Sequence, residues 1–213
     1  MIIEFGDGFG LRQATVEDHA AFCTVCLKTG DAGEDATDRE DDPNLMGLIY
    51  AVPYQVLEPR FAFAIEGPRG LAGYLFGALE TETFNARLAR EWYPRLQAEV
   101  RDPGFEETRW KASDWARAHI HNPDLSIPPA LQPFPSHGHI DLLPEARGRG
   151  IGRRCMEHLQ RELGGSGSTG MFLDVHPRNT NAREFYRRLG FADVEGLAAR
   201  PTSIFMAKRL GRV

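Results

Sequence analysis

Positive charge is in short supply in this sequence: 25 Lys and Arg stand against 30 Asp and Glu, a formal net charge of -5 over 213 residues. Nucleic-acid binders draw affinity from a basic face that neutralises phosphates, so the balance argues against that class, and any cationic cluster must be local. Long apolar runs are also missing: no stretch of about eighteen such residues occurs, so neither a spanning helix nor a membrane partner is expected. The opening MIIEFGDGFG has no basic segment leading into an apolar one, so no signal peptide is expected and the expected location is cytoplasmic. Cysteine is scarce, with 3 residues, an odd number that suits a reducing compartment better than a disulfide framework. Cys23 and Cys26 spell C-x-x-C once, inside an apparent helix beside Phe22 and Leu27, which predicts core thiols rather than a zinc or redox pair. No Gly-Lys-Ser or Gly-Lys-Thr occurs, and this excludes a P-loop.

What is present is an alternation of strands and helices in a chain expected to form a single domain over residues 1–213. LRQATVEDHAAFCTVCLKTG reads as a strand and then a helix, with Thr15 and Asp18 spaced as in a capping box. Residues 31–42, DAGEDATDREDD, hold 7 acidic side chains against one arginine, the pattern of a solvated loop or of a lure for a cationic substrate. Residues 60–80 read as two apolar strands joined at Gly67-Pro68-Arg69-Gly70. Residues 81–135, helical and then proline-rich, read as an insertion covering one side of a sheet. Its Trp92, Tyr93, Trp110 and Trp115 suit packing onto that sheet first and a substrate groove second. Ile151, Cys155, Leu159 and Leu163 recur four apart on a helical face, and GMFLDVH, NTNAREFYRRLGF and SIFMAKRL follow as strand, helix and strand.

The chemistry concentrates at PEARGRGIGRR. A strand running into a helix through such a turn presents free backbone N–H groups and the positive end of the helix dipole, a ready anion site. Gly148, Gly150 and Gly152 permit close approach of a diphosphate, and Arg147, Arg149, Arg153 and Arg154 add charge. A dinucleotide fingerprint fails on spacing, because the third glycine counted from Gly148 would fall at Arg153. The pattern Arg147-x-x-Gly150-x-Gly152 after an apolar strand resembles the acetyl-CoA-binding motif of the GCN5-related N-acetyltransferases (GNAT). LDVHPRNTNAREFYRRLGF, with Asn179 and Tyr186 seven apart, resembles that family's next strand and helix, and LRQATVED its opening. More narrowly, HIDLLPEARGRGIG and FYRRLGF resemble bacterial acetyltransferases related to the acetyltransferase-like C-terminal domain of eukaryotic O-GlcNAcase.

The resemblance implies an α/β (α+β) fold: a mixed, mostly antiparallel sheet of about six to seven strands, splayed between the family's strands 4 and 5, with the insertion between its strands 3 and 4. It implies acetyl-CoA as cofactor and direct transfer of the acetyl group to a primary amine in a ternary complex, the acceptor being a small molecule, an amino sugar or a peptide. Leu142, Leu143, Arg147, Gly148, Arg149, Gly150, Ile151, Gly152, Arg153, Asn179 and Tyr186 are the implied cofactor contacts. Within that set the Leu142 N–H is the implied donor to the thioester oxygen, and Tyr186 the implied acid for the departing thiolate. The base is left open by the family pattern: Asp174 is preferred, with His139 and Asp141 as alternatives and with His137 or His139 requiring a one-residue bulge. A non-catalytic acyl-CoA-binding domain is the second reading. The third is a metal-dependent hydrolase using His137, His139 and Asp141, which alternate along a strand as ligands would.

Overall fold

The computed structural model describes residues 1–197 and 202–211. One eight-stranded sheet organises them, in the order β1-β2-β3-β4-β5-β6-β8-β7. The strands are β1 (Ile3–Gly6), β2 (Phe9–Gln13), β3 (Ala62–Gly67), β4 (Gly70–Ala78), β5 (Ser136–Leu142), β6 (Gly170–Val175), β7 (Ala192–Asp193) and β8 (Ile204–Arg209). The helices are α1 (His19–Thr29), α2 (Leu45–Tyr50), α3 (Val52–Leu57), α4 (Thr81–Arg87), α5 (Tyr93–Glu99), α6 (Asp114–His121), α7 (Ile151–Gly165) and α8 (Thr180–Arg188). Among the described residues no helix is long and apolar enough to cross a membrane.

All neighbouring strands are antiparallel except β5 and β6, which run parallel and pair only at Ser136 with Met171 and His137 with Phe172. From Gly138 onward the two strands part, so the sheet opens as a fork between β5 and β6. The fold class is the one the sequence implied. Two strands exceed that reading: the N-terminal β1 and the two-residue β7.

Residue alternation assigns the two faces. On one, Phe22, Tyr54, Tyr74, Phe76, Phe84 and Trp92 form a core with α1–α5, so the insertion covers this face as expected. Phe22 packs edge-on against Phe76 with ring centroids 5.0 Å apart, a favoured aromatic geometry. On the other face α7 presents Ile151, Cys155, Leu159 and Leu163, all at most 1% exposed. Gly77 and Gly138 pair across β4 and β5 directly beneath Leu159. A Cβ would come within 2.7 Å of the Leu159 side chain at Gly77 and 2.9 Å at Gly138, so this pair of glycines lets α7 sit close to the sheet.

Both members of the C-x-x-C pair are buried in α1, and Cys155 is buried in α7. Burial pushes the Cys23 thiol up to about 11 and Cys155 up to about 12, which makes them packing groups. Trp92 and Tyr93 are core residues, whereas Trp110 and Trp115 stay half-buried. The acidic run is pinned: Lys28 pairs with Asp35 at 2.7 Å, Arg39 with Asp31 at 2.6 Å, and Arg117 with Asp41 at 3.0 Å.

Candidate active site

Both arms of the fork lead into helix starts. β5 passes through the Pro144–Ala146 turn into Arg147-Gly148-Arg149-Gly150, and α7 begins at Ile151. Gly148 and Gly150 hold φ of 73° and 75°, left-handed values that glycine adopts without strain. Alternating left-handed glycines of this kind turn successive N–H groups to one side, which forms an anion-binding nest. The first backbone bond closing the helix is Arg154 N–H to Gly150 O, so the preceding N–H groups are spare, as at any helix start. A Cβ at Gly148 or Gly150 would meet nothing within 4 Å, so the protein leaves the turn's outer surface open. The residues present therefore fit a diphosphate.

The four arginines are more committed than their charge alone suggests. Arg147 donates from Nε to Leu142 O at 2.8 Å and from Nη2 to Gly33 O at 2.7 Å, joining the fork to the acidic loop. Arg149 donates to Glu145 O and Asp7 and lies over the Phe9 ring. Arg154 donates to Glu4 O over Phe5, and Arg153 pairs with Glu157. The N-terminal hairpin thus holds two of them.

Leu142 ends β5. Its neighbour Leu143 donates N–H to Ala72 O on the β4 side at 2.8 Å. Because successive N–H groups alternate along a strand, the Leu142 N–H points the other way, into the fork.

His137, His139 and Asp141 share the face that carries α1–α5, and the β4–β5 register is unbroken over residues 137–142. The bulge needed to shift a histidine into a different position is therefore absent. His137 is bonded at both ring nitrogens, Nδ1 with Thr81 Oγ1 at 2.9 Å and Nε2 with Tyr54 OH at 2.8 Å. No nitrogen is left for a metal or a substrate proton. Burial, with His139 adding to it, pushes the His137 imidazole down to about 3. His139 packs against the Tyr54, Tyr74 and Phe76 rings, and burial lowers its proton affinity although Asp141 opposes the shift. Its Nε2 stands 3.6 Å from Asp141 Oδ2. Tyr74, fully buried and directly across from Asp141, donates its hydroxyl to Asp141 Oδ2 at 2.5 Å. Among the described residues no group of three or more His, Cys, Asp or Glu is arranged to hold a metal ion.

A depressed folded-state value for a histidine has a stability consequence with a definite sign. The unfolded chain binds the proton first, near pH 6.5, while the folded state resists it. The contribution of His137 is complete above about pH 6.5 and is lost as pH falls toward about 3, at about 1.4 kcal/mol per pH unit in that window. Urea midpoints between pH 7 and pH 4 should fall accordingly, and the slope should flatten in His137→Gln.

On the other arm, Asp174 is exposed and lies on the same face as Phe172 and hence as His137. Ser203 Oγ donates to its Oδ2 at 2.7 Å. Asp141 and Asp174 therefore stand on the two arms of the fork, on one face. Tyr186 belongs to the opposite core, 6% exposed. Burial, with the Asp141 charge adding to it, holds its phenol above the ordinary value and keeps it protonated. Asn179 begins α8, and its Oδ1 accepts from Ala182 N–H at 3.0 Å, an N-cap. Its Nδ2 lies beside Gly33, 2.9 Å from where a Cβ would be.

Sequence reasoning passed over Tyr54 and Tyr74, which fix His137 and Asp141, and Tyr50, a residue 41% exposed. The signal for two of them lay in LMGLIYAVPYQVL, a run too apolar for an exposed loop.

A family model described as Acetyltransferase (GNAT) family matches residues 115–191. The crystal structure of SsHAT superposes with a TM-score of 0.86 at 30% identity, covering 96% of this chain and 99% of that one. The chain belongs to the GNAT acetyltransferase family. A GNAT-superfamily phosphinothricin acetyltransferase from Sinorhizobium meliloti, crystallised with acetyl-CoA, shares the fold at a TM-score of 0.52 and 16% identity, over 96% of this chain and 89% of that one. Protein O-GlcNAcase of Rattus norvegicus is 21% identical over 94% of this chain, which spans only 22% of that protein's length.

Proposed function

We propose that this acetyltransferase binds acetyl-CoA across the fork and transfers the acetyl group to a primary amine by direct attack in a ternary complex. The observation that carries the reading is the fork itself: a strand whose last N–H points into the gap, followed directly by a turn with left-handed Gly148 and Gly150 at a helix start. Bound acetyl-CoA supplies the thioester.

Each residue has one task. Backbone N–H groups from Gly148 to Arg153, with Arg147 beside them, hold the diphosphate. The Leu142 N–H donates to the thioester oxygen where charge develops. Asp174, exposed on the acceptor face, takes a proton from the incoming ammonium, and Asp141, fixed by Tyr74, orients the amine from the facing arm. Tyr186, kept protonated by its surroundings, gives its hydroxyl proton to the leaving sulfur.

Isothermal titration with acetyl-CoA and a CoA-release assay over a panel of amines test the reading. No binding of acetyl-CoA or CoA would sink it. Tyr186→Phe is expected to lower kcat by roughly 10²-fold, within the usual range for a lost general acid, with the dissociation constant for CoA unchanged.

A further inference from the structure

The open end of the fork is bridged by protein. Beyond their strands, β5 continues to Arg147 and β6 to Arg178 and Asn179, and one tight turn, residues 31–34, touches all three. Gly33 O accepts from Arg147 Nη2 at 2.7 Å, and the Asp31 carboxylate accepts from the Arg178 guanidinium. Gly33 also lies against the Asn179 amide. The arms are thus joined where their strands have already parted.

The turn is shaped for that seat. Asp31 and Glu34 exchange both backbone bonds, at 2.9 and 3.0 Å, and Ala32 and Gly33 between them hold φ of 55° and 95°, as a type I′ turn requires. Alanine is disfavoured in that region, and such backbone persists only where its surroundings hold it. The end of α1 holds one side: Gly33 N–H donates to Thr29 O and Ala36 N–H to Leu27 O, each at 3.0 Å. The fork holds the other. A Cβ at Gly33 would stand 2.9 Å from Asn179 Nδ2, and Asn179 cannot swing aside without releasing the Ala182 N–H that its Oδ1 caps.

An exposed ion pair contributes little singly. Here the Asp31 pair acts together with the Arg147 bond and the Gly33 packing on a turn that α1 has already ordered, so little further chain entropy is lost in closing it. The Arg147 guanidinium is fixed in turn by two carbonyls, Leu142 O at 2.8 Å and Gly33 O, beside the glycine turn that would receive the diphosphate. In the acetyl-transfer reading the cofactor runs from that glycine turn to the Leu142 N–H, between the arms that residues 31–34 join.

We propose that residues 31–34 form a clasp across the open end of the fork that retains the cofactor between its arms, with Asp31 and Gly33 as positioning residues for Arg147 and the start of α8. The retaining role rests on the acetyl-transfer reading, whereas the clasp itself is measurable in the free protein.

Hydrogen exchange read by NMR on the free protein tests the clasp. Arg178→Ala, far along the chain, is expected to speed exchange of the Asp31 and Glu34 amides about fivefold, and unchanged exchange overturns the clasp. Stopped-flow dissociation of CoA tests retention. Arg178→Ala and Asp31→Ala should each raise the rate about fivefold, and the double variant no further, because both remove the same contact. Arg39→Ala removes a partner of Asp31 that lies within the acidic loop and does not reach the fork, so dissociation should stay at the wild-type rate. Wild-type rates in both single variants, effects that multiply in the double variant, or an equal rise in Arg39→Ala overturn retention by the clasp. Retention as described, with no acetyl group transferred to any amine of a panel, leaves the clasp standing and refutes the transfer reading. Wild-type dissociation in clasp variants of a protein that does acetylate an amine does the reverse.

Discussion

Replacing Gly150 with valine is expected to raise the dissociation constant for acetyl-CoA by about 10- to 100-fold, a loss of about 1.4 to 2.8 kcal/mol. Two physical effects combine. At φ 75° a β-branched residue is strained, so the turn relaxes toward another backbone geometry and its N–H groups no longer converge. Any Cβ that does keep this geometry projects from the turn into open space, where no protein atom lies within 4 Å and a bound diphosphate would be. Gly167 is the control, because it has φ 98° and an equally open surround but sits in the turn after α7, far along the chain from the glycine turn. Valine there should cost a similar amount of stability, about 1 to 3 kcal/mol, and leave CoA affinity alone. Titration calorimetry and urea unfolding on both variants separate the two effects. Equal CoA affinity in Gly150→Val and wild type removes the turn from the cofactor site.

The glycine turn was legible because everything that defines it is local: a strand, a glycine spacing and a helix start within about a dozen residues. The same holds for the four-apart face of α7 and for the shared face of His137, His139 and Asp141, a consequence of strand alternation. What those three side chains do was not legible, since their partners come from far along the chain. Tyr54 lies 83 residues from His137, and Tyr74 67 residues from Asp141. His137 is removed as a base or ligand by two bonds that no local pattern foretells. Asn179 shows the converse, since its structural partner is local: its Oδ1 accepts from the Ala182 N–H three residues on and caps α8. The N-terminal hairpin escaped notice because β1 is only four residues long, yet it anchors Arg149 and Arg154. The helices α2 and α3 escaped because LMGLIYAVPYQVL is apolar on every side and interrupted by Pro53, which hides the helical period.

The carboxylates on the two arms of the fork lead to the other large expected effect. Asp174→Asn should lower kcat by roughly 10²- to 10⁴-fold, the span associated with losing a general base, and should leave the dissociation constant for acetyl-CoA within error of wild type. The amide is isosteric and still accepts a hydrogen bond from Ser203, so that contact is kept while the proton acceptor is lost. Asp141→Asn is predicted to behave differently. Its Oδ2 is already bonded to Tyr74 OH at 2.5 Å and its side chain is the more enclosed of the two, so it is poorly placed to pass a proton to water. Loss of its charge should appear mainly as a weaker KM for the amine, because a group that orients the ammonium stabilises ground state and transition state alike. Exposure is what separates the two roles: a base must release its proton to solvent before the next turnover, and Asp174 is the carboxylate open to it. Steady-state kinetics on the pair decide the matter. A kcat collapse in Asp141→Asn with Asp174→Asn near wild type would transfer the base to β5 and make Asp174 the group that receives the amine.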